Sequence, residues 1–93
     1  MFTTTRTTKE PRIGDIWLVS YPYSTPGNME KVRPGIIIAF DGDDRVIVQK
    51  LTTSNKKGNK EFKHPKLKRK TYLSREKTSI SDYNLIRYIG RTQ

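Results

Sequence analysis

Two apolar runs joined by four residues suited only to turning constrain this chain more than any other feature. Gly35 to Phe40 is continuously apolar and of strand length, Asp41-Gly42-Asp43-Asp44 follows, and Arg45 to Thr52 resumes the apolar pattern. Such an arrangement predicts a β-hairpin with a tight turn. A hairpin also brings its two outer ends together, so the residues just ahead of Gly35 and those at Thr52 are expected at the same end of the sheet.

The flanking segments point the same way. Ile16, Leu18 and Trp17, Val19, Tyr21 make the stretch from Ile13 to Tyr21 apolar on both sides, as in a strand covered on two faces. Pro22-Tyr23-Ser24-Thr25-Pro26-Gly27-Asn28 then breaks any ladder and predicts a loop. Thr71-Tyr72-Leu73 reads as a short strand, and a turn at Ser81-Asp82 precedes a strand through Leu85 to Ile89, stopped by Gly90. Several short strands with turns between them and no strong helical pattern predict an all-β fold, a small closed barrel with little or no helix.

With 93 residues there is room for one domain, whose small core is marginal unless compact or shared. Residues 1–11 are rich in Thr without apolar periodicity and read as a disordered tail, leaving 12–93 as the domain. No run approaches the roughly 18 apolar residues of a membrane span, and no signal-peptide core is visible. There is no cysteine, so neither disulfides nor a Cys-based zinc site is available, and a cytoplasmic location is the default.

Lys and Arg outnumber Asp and Glu by 19 to 9, which favours a polyanionic partner such as nucleic acid or an acidic protein over a merely solubilising surface. From Asn55 to Lys70 there are eight basic residues against Glu61 alone, so this loop or arm carries seven of the ten net positive charges. Gly58 and Pro65 interrupt it, and only Phe62 and Leu67 offer apolar anchors. Lys56, Lys57, Lys66, Lys68, Arg69 and Lys70 are its candidate phosphate contacts.

Arg33 precedes Pro34 at the mouth of a strand, where the backbone is held extended and a planar guanidinium is suited to bidentate phosphate contact. A surface arginine ending a loop is the plain alternative. Thr52, Thr53 and Ser54 can offer hydroxyls to a phosphate or ribose, although Thr and Ser are also ordinary at a strand end. Tyr23, in its proline-bracketed loop, is the candidate stacking platform for an unpaired base, while Trp17 and Tyr88 are expected in the core. His64, between Lys63 and Pro65, reads as another solvated surface group, and no ligand set for a metal or other cofactor is visible.

Four blocks, in order, resemble the MazF/PemK family: Gly14-Asp15-Ile16-Trp17-Leu18-Val19, Val32-Arg33-Pro34-Gly35-Ile36-Ile37-Ile38, Val46 through Ser54, and Ile86-Arg87-Tyr88-Ile89-Gly90. The resemblance spans roughly residues 12–90. It implies an SH3-like barrel that forms a homodimer, binds a cognate antitoxin and acts as the toxin of a type II toxin-antitoxin module. The implied activity is metal-independent cleavage of single-stranded RNA, including mRNA, to a 2′,3′-cyclic phosphate and a 5′-hydroxyl. By position, Arg33 would be the catalytic arginine and Thr52 the hydroxyl that orients the phosphate, with Thr53 or Ser54 as substitutes. The stretch Tyr72 to Thr78 lacks the arginine and aspartate spaced two apart that some members use, which leaves Glu30 and Glu76 as candidate bases. A non-catalytic SH3-like module that binds nucleic acid through the basic arm is the alternative, and a barrel that docks an acidic peptide by strand addition is a third reading.

Overall fold

The structure is a computed structural model that describes residues 10–21 and 31–92. Residues 1–9, the Tyr23 loop and Glu30 lie outside the described residues. Among the described residues six strands follow one another: β1 Asp15–Tyr21, β2 Lys31–Phe40, β3 Arg45–Thr52, β4 Lys60–Phe62, β5 Thr71–Ser81 and β6 Leu85–Arg91. A 3-10 turn, Asp82–Asn84, separates the last two. None of the described elements is a helix long and apolar enough to cross a membrane.

The strands form one antiparallel sheet in the order β4-β5-β3-β2-β1-β6, curled into a half-barrel. The expected all-β class is therefore present, with little helix. Closure differs from the sequence expectation: among the described residues no backbone ladder joins the two edges, β4 and β6. The β2–β3 hairpin forms as read, with Gly35 opposite Lys50 and Phe40 opposite Val46. Its turn includes Gly42 at φ +82°, a left-handed conformation that glycine adopts without a Cβ penalty.

β5 is longer than the short strand expected from Thr71 to Leu73. It pairs with β3 along most of its length, from Tyr72 opposite Thr52 to Ser81 opposite Arg45. Only its first three residues also meet β4, so Arg75, Glu76 and Lys77 form an exposed edge beyond that pairing. Their charge, which masks the strand in the sequence, is what a solvent-facing sheet edge tolerates.

Both faces of the central strands are buried, as the two-sided apolar pattern of β1 implied. One cluster contains Trp17, Val19, Tyr21, Ile37, Val46, Val48, Ile80 and Leu85, with Tyr88 packed against it. Trp17 and Tyr88 meet edge-on, with ring centroids 5.4 Å apart. On the other side, Ile16, Ile36 and Leu51 are covered in part by Phe62 and Leu67 from the basic segment. Gly35 is required by close approach, because a Cβ there would collide with the Val48 side chain and the Tyr21 hydroxyl.

Asp15 is fully buried, yet its carboxylate is satisfied. Oδ2 accepts the Arg12 backbone N–H at 3.0 Å, and Oδ1 accepts the Arg91 Nε–H at 3.2 Å. This pair ties the start of β1 to the end of β6. Losing one partner of a buried ion pair costs about 3–5 kcal/mol, and the half-exposed Arg91 guanidinium discounts that figure. We expect Arg91→Ala to destabilise the fold by about 2 kcal/mol. Chemical denaturation measures this, and an unchanged midpoint with an unchanged slope would contradict the role given to the pair.

Candidate functional site

The hairpin delivers Arg33, two residues ahead of Gly35, and Thr52, two residues beyond Lys50, to one end of the sheet. There a cleft of about 330 Å³ opens between the ends of β2 and β3 and the segment Lys66 to Arg69. Pro34, Leu51 and Leu67 give it an apolar floor. Arg33, Lys66, Lys68 and Arg69 provide the cations, and Thr52, Thr53 and Thr71 the hydroxyls.

Arg33 is exposed, and its Nη1 donates to the Val32 carbonyl at 3.2 Å. That bond leaves most of the guanidinium donors available to an anion. The Thr52 Oγ1 accepts the Ser54 backbone N–H at 3.1 Å. Its acceptor side is thereby engaged in the turn, while its O–H remains a donor beside the cleft. Asn59 closes the same loop by donating from Nδ2 to the Ser54 carbonyl at 3.0 Å.

The cationic wall is held by His64, which sequence reading treated as a solvated group. The Lys66 backbone N–H donates to His64 Nδ1 at 3.1 Å, which makes Nδ1 the acceptor and leaves the proton on Nε2. Nε2 in turn lies 3.3 Å from the Arg91 carbonyl, to which it donates. The ring stacks near Phe62, centroids 6.4 Å apart, and rests against Gly90, where a Cβ would come within 3.0 Å of Cε1. The Leu67 N–H closes a turn on the His64 carbonyl at 2.9 Å while its side chain enters the second core cluster. The segment from Phe62 to Leu67 thus straps the open side of the half-barrel, and the positions of Lys66, Lys68 and Arg69 follow from it.

Of the residues singled out in the sequence, the structure gathers Arg33, Thr52, Thr53, Lys66, Lys68 and Arg69 around one cleft. Lys56, Lys57, Lys70 and the Ser54 side chain are not in its lining, and Tyr23 lies outside the described residues. Glu76 is also elsewhere, on the exposed edge of β5, 3.3 Å from the Lys50 ammonium. Among the described residues no carboxylate or imidazole lines the cleft. Thr71, which was not singled out, lines the cleft and donates from Oγ1 to the Arg69 carbonyl at 2.8 Å, closing the strap into β5. Phe62 and Leu67, the only apolar residues in a basic stretch, were the sequence signal for a pinned strap. Compared with models of known protein families and with curated protein sequences, the chain matches none.

We expect His64→Ala to raise amide exchange at Lys66 and Leu67 roughly five- to tenfold, equivalent to the loss of a hydrogen bond worth about 1 kcal/mol. His64→Asn, whose side-chain oxygen can replace Nδ1, should stay close to wild type at Lys66. Unaltered Lys66 exchange in His64→Ala would refute the strap.

Proposed function

We propose that this protein is a MazF/PemK-like endoribonuclease, the toxin of a type II toxin-antitoxin pair, and that it cuts single-stranded RNA in the cleft containing Arg33 and Thr52. The observation that carries the reading is the meeting of those two residues, named from separate blocks of the sequence, in one cationic cleft with a hydroxyl-bearing edge. The guanidinium and the three other cations supply the charge a phosphodiester requires, and the apolar floor suits the non-charged parts of a nucleotide.

In the reaction, the ribose 2′-oxygen attacks the adjacent phosphorus and loses its proton, and the bond from phosphorus to the 5′-oxygen breaks. The products are a 2′,3′-cyclic phosphate and a 5′-hydroxyl, formed when the leaving oxygen takes up a proton. Arg33 stabilises the charge that builds on the phosphorane oxygens, and the Thr52 O–H orients one of them. The protein acts in the cytoplasm as a homodimer restrained by its antitoxin.

A non-catalytic nucleic-acid-binding module is the second reading. It is favoured by one observation, that no described cleft residue is a carboxylate or imidazole able to accept the 2′-proton.

Purified protein should cut single-stranded RNA in EDTA to fragments ending in a cyclic phosphate. Arg33→Ala should lower the cleavage rate by about 10²-fold or more, and Thr52→Ala by less, because a cation at the developing charge outweighs one neutral hydrogen bond. Binding without cutting would select the second reading, and Arg33→Ala cutting as fast as wild type would remove the reaction from this cleft.

A further inference from the structure

Both ring nitrogens of His64 are used to anchor the strap. Nδ1 accepts the Lys66 N–H at 3.1 Å, and Nε2 donates to the Arg91 carbonyl at 3.3 Å. The two bonds together require a neutral ring with its proton on Nε2. An imidazolium carries a proton on each nitrogen, so it keeps the bond to the Arg91 carbonyl and loses the one from Lys66, where two N–H groups would then face each other. Lys66 is the first of the three strap cations that line the Arg33 cleft, followed by Lys68 and Arg69, so the lost bond is the one that sets the cationic wall.

A hollow of about 320 Å³ bounded by Phe62, Lys63, Pro65, Arg91 and Thr92 gives solvent a route to the ring. The charged groups around it are Lys63 and Lys66 on the strap and Arg91 from β6. Behind Arg91 lies Asp15 of β1, whose Oδ1 is taken by the Arg91 Nε–H. Glu61 precedes Phe62 in β4 and therefore alternates to the other face of that strand. Among the described residues no carboxylate is paired with the ring, so none holds an imidazolium in place of the lost bond. We infer that the strap is a proton-operated latch: uptake of one proton at His64 Nδ1 frees the Lys66 amide and loosens the wall that carries Lys66, Lys68 and Arg69. The latch is closed above the range in which imidazoles charge, about pH 6.5, and opens below it. Its consequence, a weaker hold on an anionic ligand in acid, rests on the proposed RNA-binding role of the cleft. That direction is opposite to the effect of net charge alone, since an added proton strengthens the attraction to a polyanion.

Amide exchange of the full chain, expressed relative to the same residues in an unfolded peptide, tests the latch at about pH 7.5 and about pH 5. Protection at Lys66 and Leu67 should fall about five- to tenfold at the lower pH, the loss of one hydrogen bond, to the level of His64→Ala. The Thr92 N–H, which donates to the Gly14 carbonyl beside the Asp15–Arg91 pair, should keep its protection. His64→Asn, whose side-chain oxygen accepts a hydrogen bond without taking up a proton in this range, should hold Lys66 equally at both pH values. Equal protection of Lys66 in the wild type at the two pH values would overturn the latch, and so would a loss shared with Thr92, which marks general loosening. Binding of a 2′-O-methyl oligouridylate, whose bases do not titrate in this range, reads the consequence. At fixed salt the affinity of the wild type relative to His64→Asn should fall severalfold between the higher and the lower pH. A constant ratio while Lys66 is released would overturn control of the cleft by the latch. No binding by either protein at the higher pH would remove the proposed RNA site and leave the latch to stand or fall on the exchange result.

Discussion

The Asp15 carboxylate is buried at the start of β1, and two donors make that burial tolerable: the Arg12 backbone N–H and the Arg91 guanidinium. Much of the arrangement on the open side of the sheet depends on the second. By fixing Arg91 at the end of β6, the ion pair also fixes the Arg91 carbonyl, which receives His64 Nε2–H. The other ring nitrogen takes the Lys66 N–H, and Leu67 follows into the core beneath. Individually these are bonds of ordinary strength. In series they turn a strongly basic, solvent-exposed segment into one wall of a cleft whose opposite wall is the β2–β3 hairpin. Self-repulsion among the cations opposes that placement, and the contacts of Phe62, His64 and Leu67 resist it.

What could be read from the sequence was local. The hairpin was legible because continuous apolar runs and a four-residue polar turn leave few alternatives, and the convergence of Arg33 with Thr52 follows from the hairpin alone. Trp17 and Tyr88 were legible as core residues for the same reason, the apolar pattern around them. The length of β5 was hidden because its middle residues, Ser74 to Thr78, gain their strand conformation from pairing with β3 rather than from any apolar pattern of their own. His64 was misread because its partners, Gly90 and Arg91, lie far along the chain. Charge density along 55–70 likewise gave the composition of the arm but not its direction. Lys66, Lys68 and Arg69 turn to the cleft, whereas Lys56, Lys57 and Lys70 do not line it.

The composition of the cleft orders the possible chemistry. Cations and hydroxyl donors over an apolar floor suit a phosphodiester with its sugar, and they act on an anion before any proton is moved. Binding and cutting are therefore separable properties of the same residues. In the proposed reaction Arg33 would serve both, while the acceptor of the 2′-proton is a distinct requirement that the described cleft residues do not meet. The hairpin brings Arg33 and Thr52 to one cleft, and the strap divides the basic arm into residues that line the cleft and residues that do not.

The central claim is that the strap and the hairpin ends form one site for a nucleic-acid strand. Its most direct test is a map of backbone amide shifts by nuclear magnetic resonance as a non-cleavable single-stranded RNA, carrying 2′-O-methyl groups, is added. Arg33, Thr52, Thr53 and the segment Lys66 to Arg69 should shift together with a common dissociation constant, while the Asp41 to Arg45 turn at the far end of the hairpin stays unchanged. Shifts confined to Lys56 and Lys57, with none at Arg33 or Thr52, would contradict the account.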